Sequence, residues 1–222
     1  MSHELYGILY SYIYLFGIVI LAEVIRKKNG LSSSFTRKVI HIGVGIWGLG
    51  ALAFFNTLWA VFIPPASFIV INLISYKTQM FKSMEIDDKG NLGTVLYPLS
   101  ICFLLLVFWP MGYRLVPFIG LLIMAFGDGL ASIFGIKFGK HHYSFWAHKK
   151  SIEGSIAMLV GSLLAVMIVL ISFGEMSSSE ILLQAGITAL IATMIEGISP
   201  GTLDNLTVPL FSGFAYWLIF LL

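Results

Sequence analysis

The chain reads as an all-α, polytopic integral membrane protein of seven or eight transmembrane helices, and three observations lead there. Hydrophobic residues make up 58% of its 222 residues and charged residues only 11%, too apolar a balance for a soluble domain of this size. The apolar residues are gathered into runs close to the length of a membrane span, about 20 residues. The basic residues fall almost entirely in alternate gaps between those runs.

Eight runs qualify: 5–25, 39–55, 57–76, 94–109, 114–134, 152–173, 181–195 and 206–222. The first is preceded by no basic residue and followed by Arg26, Lys27 and Lys28, which suits a retained helix better than a cleaved signal peptide. Pro64 and Pro65 predict a bend in the third. The fourth and seventh are short, so tilted, extended or partly re-entrant segments stay open, and with them a count of seven. The connection 77–91 mixes Met80, Phe81 and Met84 with Lys82, Glu85, Asp87 and Asp88, which suits a short helix lying on the headgroups. No loop is long enough for a separate soluble domain and no internal repeat is visible, so residues 1–222 are expected to form one domain.

With eight spans, the first, third and fifth connections hold twelve of the 13 basic residues, leaving Arg114 on the other side. The positive-inside rule then makes the basic side cytoplasmic, in a multi-pass protein of the cell membrane. The same side receives Asp128, Glu153, Glu196 and Asp204, whereas Glu4, Glu175 and Glu180 fall outside. Candidate chemistry is therefore gathered on one face. The basic residues are too few and scattered for a nucleic-acid partner. The single cysteine, Cys102, excludes an intrachain disulfide and paired-cysteine metal chemistry.

Asp128, between Gly127 and Gly129, is expected at the cytoplasmic end of the fifth span. It is either a carboxylate solvated by headgroup water or a ligand for a hard divalent cation such as magnesium. Glu196 and Asp204 flank a Ser-Pro-Gly break, with Asn205 and Thr207 following. Asp204 can cap the last helix, or the two acids can share metal ions with Asp128 and neutralise a nucleotide triphosphate. Lys149 and Lys150 precede Ser151, a helix cap, and Glu153, which the helix dipole favours; lysines beside a helix N-terminus form an anion site. Arg37 and His41 stand one turn apart at the start of the second span, where His41 is either structural or placed to orient a substrate or accept a hydroxyl proton. His141, His142 and His148 are too loosely spaced for a strong metal signal.

Taken together, Arg37-Lys38 with His41, Gly127-Asp128-Gly129 with Ala131-Ser132, Gly135 with Phe138-Gly139-Lys140, Lys150-Ser151 with Glu153-Gly154-Ser155, and Glu196 with Asp204-Asn205-Leu206-Thr207-Val208-Pro209 resemble the CTP-dependent polyprenol kinase family. That family includes dolichol kinase, phytol kinase and the yeast-type diacylglycerol kinase. The likeness covers about residues 37–210 and looks nearest to the phytol kinases. It implies transfer of the γ-phosphoryl of CTP, with magnesium, to the hydroxyl of an isoprenoid alcohol or diacylglycerol at the cytoplasmic membrane face.

On that resemblance Asp128 and Asp204 are expected as metal ligands, with Glu196 or Glu153 supporting. Arg37, Lys140, Lys149 and Lys150 would hold the nucleotide phosphates beside Ser151, and Gly127, Gly129, Gly135 and Gly139 would admit the nucleotide closely. Asn205 and Thr207 complete the site, and His41 or Asp128 would serve the lipid hydroxyl. The motifs are also similar to CDP-diacylglycerol synthases, which keeps a CTP:phosphatidate cytidylyltransferase open, although their Gly-His-Gly-Gly signature is absent here. A transporter is the third reading; its acids would lie near the midplane and its halves would often repeat. The particular alcohol and the oligomeric state, including a homo-oligomer, stay open.

Overall fold

The computed structural model describes residues 2–81, 83, 92–145 and 148–221. Among these, eight helical rods follow in order: α1 Ser2–Asn29, α2 Ser33–Phe54, α3 Leu58–Thr78, α4 Gly93–Phe108, α5 Leu115–Phe138, α6 Ile152–Phe173, α7 Ser178–Ile198 and α8 Asp204–Phe220. All but α4 and α8, of 16 and 17 residues, are long and apolar enough to cross a membrane. The protein is thus the all-α polytopic membrane protein that its composition predicts. Most of the connection 77–91, with the surface helix expected there, lies outside the described residues.

The seventh run is not short. Ser177 caps α7 by accepting from the Glu180 backbone N–H, while the Glu180 carboxylate accepts from the Ser177 N–H at 2.8 Å. This capping box starts the helix ahead of the apolar run. At the other end Glu196 stays within the helix, so α7 reaches 21 residues.

Burial is arranged for a lipid solvent. Ile13, Leu21, Ile171 and Met194 are each more than half exposed on the outside, where hydrocarbon costs them nothing. The core forms around the first half of α5, where Val116, Ile119, Leu122, Ile123 and Met124 are fully buried. α2, α4, α6 and α8 pack about it, and α1 leans on α2 and α3. One close approach depends on glycine: a Cβ at Gly161 of α6 would stand 2.7 Å from the Phe126 carbonyl oxygen of α5.

Two features depart from the sequence reading. Asp128 does not end its helix; α5 continues for ten more residues to Phe138, leaving Asp128 buried within the helix. The turn before it, Ile123–Asp128, is π-helical, a widening that re-aims side chains and recurs at functional sites. The polar stretch between α5 and α6 contains a small antiparallel ribbon, β1 His142–Phe145 and β2 His148–Ser151, with Tyr143 opposite Lys150 and Ser144 opposite Lys149.

Candidate active site

Five elements bring their charges to one cleft of about 310 Å³. Its lining includes Arg37 and Lys38 from α2, Asp128 and Gly135 from α5, Lys149 and Lys150 from β2, and Glu196 and Asp204 from the ends of α7 and α8. The convergence follows from the topology. The start of α2, the end of α5, the start of α6, the end of α7 and the start of α8 all meet at one end of the bundle.

Lys38 and Asp128 form a buried ion pair, with side chains only 8% and 6% exposed. Isolated charges at that depth would cost several kcal/mol each, by order of magnitude, so each stabilises the other's burial. Lys38 stands one turn before His41 because α2 begins at Ser33, where Ser32 caps it by accepting from the Phe35 N–H. Sequence reading treated Lys38 as a marker of sidedness. The signal that it is more was its spacing of three residues from His41, which places both on one helical face.

Lys150 donates to the carboxylate of Glu196 and to its backbone carbonyl, so β2 is tied to the last turn of α7. Asp204 differs from the other two acids. Half-buried at the start of α8, it accepts from the backbone N–H and side-chain amide of Asn205, at 2.8 and 2.7 Å. It has no ion-pair partner among the described residues.

Other expected site residues lie elsewhere. Glu153 does not line the cleft; its carboxylate accepts from the Lys140 and His141 N–H groups and meets the His141 ring at 2.8 Å, clamping the chain where it enters the ribbon. Lys140 is likewise outside the lining. Gly127 faces Met158 and Ser162 of α6, and Gly129 faces Ile42 of α2, so both serve helix packing. Gly135 lines the cleft; Gly139, outside it, sits against the Ser151 side chain. Ser151 lines the cleft and caps α6, accepting from the Gly154 N–H at 3.1 Å. Asn205 and Thr207 brace the Asp204 turn, through Thr202 and Ser199. The His142 side chain is hydrogen-bonded to the Lys140 carbonyl.

Among the described residues no three His, Cys, Asp or Glu side chains are grouped to cage a metal. That suits magnesium nonetheless, which takes one or two carboxylates and completes its shell with phosphate oxygens and water. Asp204, a carboxylate with no ion-pair partner among the described residues, fits such an ion arriving with a nucleotide.

A second cavity, of about 70 Å³, adjoins the first and has the opposite chemistry. It lies among α1–α4 and is walled by Ile18, Val44, Trp47, Phe68, Tyr97 and Ile101. Arg37 lines both spaces, and His41 lines the apolar one. The His41 ring is buried and stacked on Tyr97, 4.8 Å between centres, and makes no hydrogen bond among the described residues.

A cationic cleft with acids at its wall, joined to an apolar cavity inside a membrane bundle, defines a membrane enzyme that brings a charged substrate to a lipid one. The comparisons narrow this. The chain is 33% identical to phytol kinase of Synechocystis sp. over 92% of its own length and 87% of that protein. It is 28% identical to the chloroplastic phytol kinase 1 of Arabidopsis thaliana, over 92% of this chain and 73% of the relative. No family model matches, nor does any solved structure. The chain belongs to the polyprenol and phytol kinase family, phosphotransferases with an alcohol group as acceptor.

Proposed function

We propose that the protein transfers the γ-phosphoryl of CTP to the hydroxyl of an isoprenoid alcohol of the phytol type, at the cytoplasmic face of its membrane. The observation that carries this reading is the junction of the two cavities at the Arg37–His41 turn of α2. The polar cleft suits the triphosphate, with Arg37, Lys149 and Lys150 opposing its charge. The apolar cavity suits a lipid chain, which gains about 0.8 kcal/mol per buried CH₂ by staying in hydrocarbon. The choice of CTP rests on the motif resemblance, and the acceptor rests on the relatives' names. The cytoplasmic side rests on the basic residues, which include all four cations of the cleft.

Asp204 and Asp128 are the residues that would hold magnesium, which supplies charge neutralisation along the phosphates. In the transfer, the alcohol oxygen forms a bond to the γ-phosphorus, the bond from that phosphorus to the β-γ bridging oxygen breaks, and CDP leaves. The hydroxyl proton passes to His41, whose Nδ1 has no hydrogen-bond partner among the described residues. Asp128, already held by Lys38, sets the position of α2 against α5.

The test is an assay of the purified protein with magnesium, CTP and, in turn, phytol, farnesol, a longer polyprenol, diacylglycerol and phosphatidate. CDP with a phosphorylated isoprenoid alcohol is the expected result. Pyrophosphate with a CDP-lipid would instead make the protein a cytidylyltransferase, and phosphorylation of diacylglycerol alone would overturn the acceptor class.

A further inference from the structure

The apolar cavity contains more polar chemistry than its walls need. Three buried side chains among its lining residues each have a polar atom with no hydrogen-bond partner among the described residues: His41 Nδ1, Asn72 Oδ1 and Thr94 Oγ1. All three residues are less than a tenth exposed. An unpartnered polar atom at that depth is costly, and such groups in a native protein usually answer a ligand or an ordered water.

They are also gathered together. The Asn72 side-chain amide donates to the Thr94 carbonyl at 2.7 Å, joining α3 to α4 and leaving the amide oxygen over. Tyr97, one turn beyond Thr94, carries the stacked His41 ring and donates its own hydroxyl to the Leu121 carbonyl at 2.8 Å. Thr94, Tyr97, Pro98 and Ile101 present one face of α4 to the cavity, polar at its first turn and apolar thereafter. The polar end lies near the end of α3 and the start of α4, the end of the bundle that holds the cleft.

We infer that this trio is the hydroxyl seat of the acceptor site, and that Asn72 and Thr94 are positioning residues for a single-chain lipid alcohol. The inference rests on the lipid-alcohol kinase reading and adds residues and a shape to it. The Thr94 hydroxyl donates to the alcohol oxygen, and Asn72 Oδ1 accepts a hydrogen bond from the alcohol O–H, which keeps its proton until transfer, when the proton goes to His41. The first carbons of the chain lie along Val44, Phe68 and Ile101 while the rest extends into the membrane, and a space of about 70 Å³ favours the head of one chain, an isoprenoid alcohol, over a two-chain diacylglycerol.

Three variants and two readouts, binding and KM, test it. Binding of phytol to the purified full chain, without nucleotide, is measured alongside the KM for phytol and for CTP. Thr94→Val keeps the shape and removes the hydroxyl; it is expected to weaken phytol binding and raise the phytol KM about tenfold, the worth of one buried hydrogen bond, with the CTP KM unchanged. Thr94→Ser is expected to restore both. Val44→Phe, which fills the cavity, is expected to abolish phytol binding while CTP still binds. If phytol binds equally to the wild type, Thr94→Val and Val44→Phe, or if the wild type binds none, the inference is overturned. If phytol binds as expected but is never phosphorylated, the seat stands and the kinase reading fails instead.

Discussion

The two ends of the bundle spend their polar residues differently. At the end away from the cleft, side chains answer backbone groups where helices stop. The Glu4 carboxylate accepts from the Asn56 N–H at 3.1 Å, Arg114 donates to the Phe55 carbonyl with its guanidinium 4.3 Å from the centre of Trp109, and Ser177 and Glu180 close the cap of α7. At the cleft end, charges meet charges across elements, Lys38 with Asp128 and Lys150 with Glu196, and Asp204 has no ion-pair partner among the described residues. Polar groups of the first kind finish the fold. Those of the second kind cost desolvation to build and leave a charged wall facing a cavity, which a fold alone does not require.

The comparison breaks most sharply at the buried pair. Lys38→Met is expected to destabilise the protein by about 3–5 kcal/mol, because Asp128 is left buried without its partner. Lys38→Met with Asp128→Leu is expected to recover most of that stability and none of the activity. Thermal unfolding in detergent beside the transfer assay checks both. Recovery of activity in the double variant would make the pair purely structural.

Asp204→Asn separates chemistry from folding. No ion pair is lost, and the amide oxygen can still accept from Asn205, so the unfolding temperature should hold while kcat falls roughly 10²–10³-fold. Equal loss in Tm and in rate would return Asp204 to the class of helix caps.

Smaller effects sharpen the contrast. Lys149 is exposed on the ribbon and makes no ion pair among the described residues, so Lys149→Ala should raise the CTP KM by about tenfold with little change in stability. At the opposite end, Ser177→Ala should cost about 1 kcal/mol through loss of the cap and leave both KM values alone. Equilibrium unfolding and steady-state kinetics on the two variants would show opposite patterns.

Much of this was legible in the chain itself. Long apolar runs, the placement of twelve of 13 basic residues and the candidate site acids Asp128, Glu153, Glu196 and Asp204 beside them are properties of local composition, because the cost of putting charge in hydrocarbon is felt residue by residue. The motifs around Arg37, Asp128, Lys150 and Asp204 were enough to suggest the family that the comparisons then showed.

Tertiary structure alone decided which charge meets which. Lys38 and Asp128 are 90 residues apart, and no local pattern says that one neutralises the other. The same holds for Glu153, which has the composition of a ligand but the geometry of a loop clamp, and for Gly127 and Gly129, which face helices instead of the cleft. Asn72 and Thr94 look incidental in sequence, two polar residues among many apolar ones; packing α3 against α4 joins them and leaves their side-chain oxygens without a partner among the described residues. The sequence by itself determined the long apolar helices, the gathering of basic residues in alternate connections and the family, because burial and charge act locally. The pairing of carboxylates with lysines and the shape of the lipid cavity depend on helices meeting in space, which only the folded chain decides.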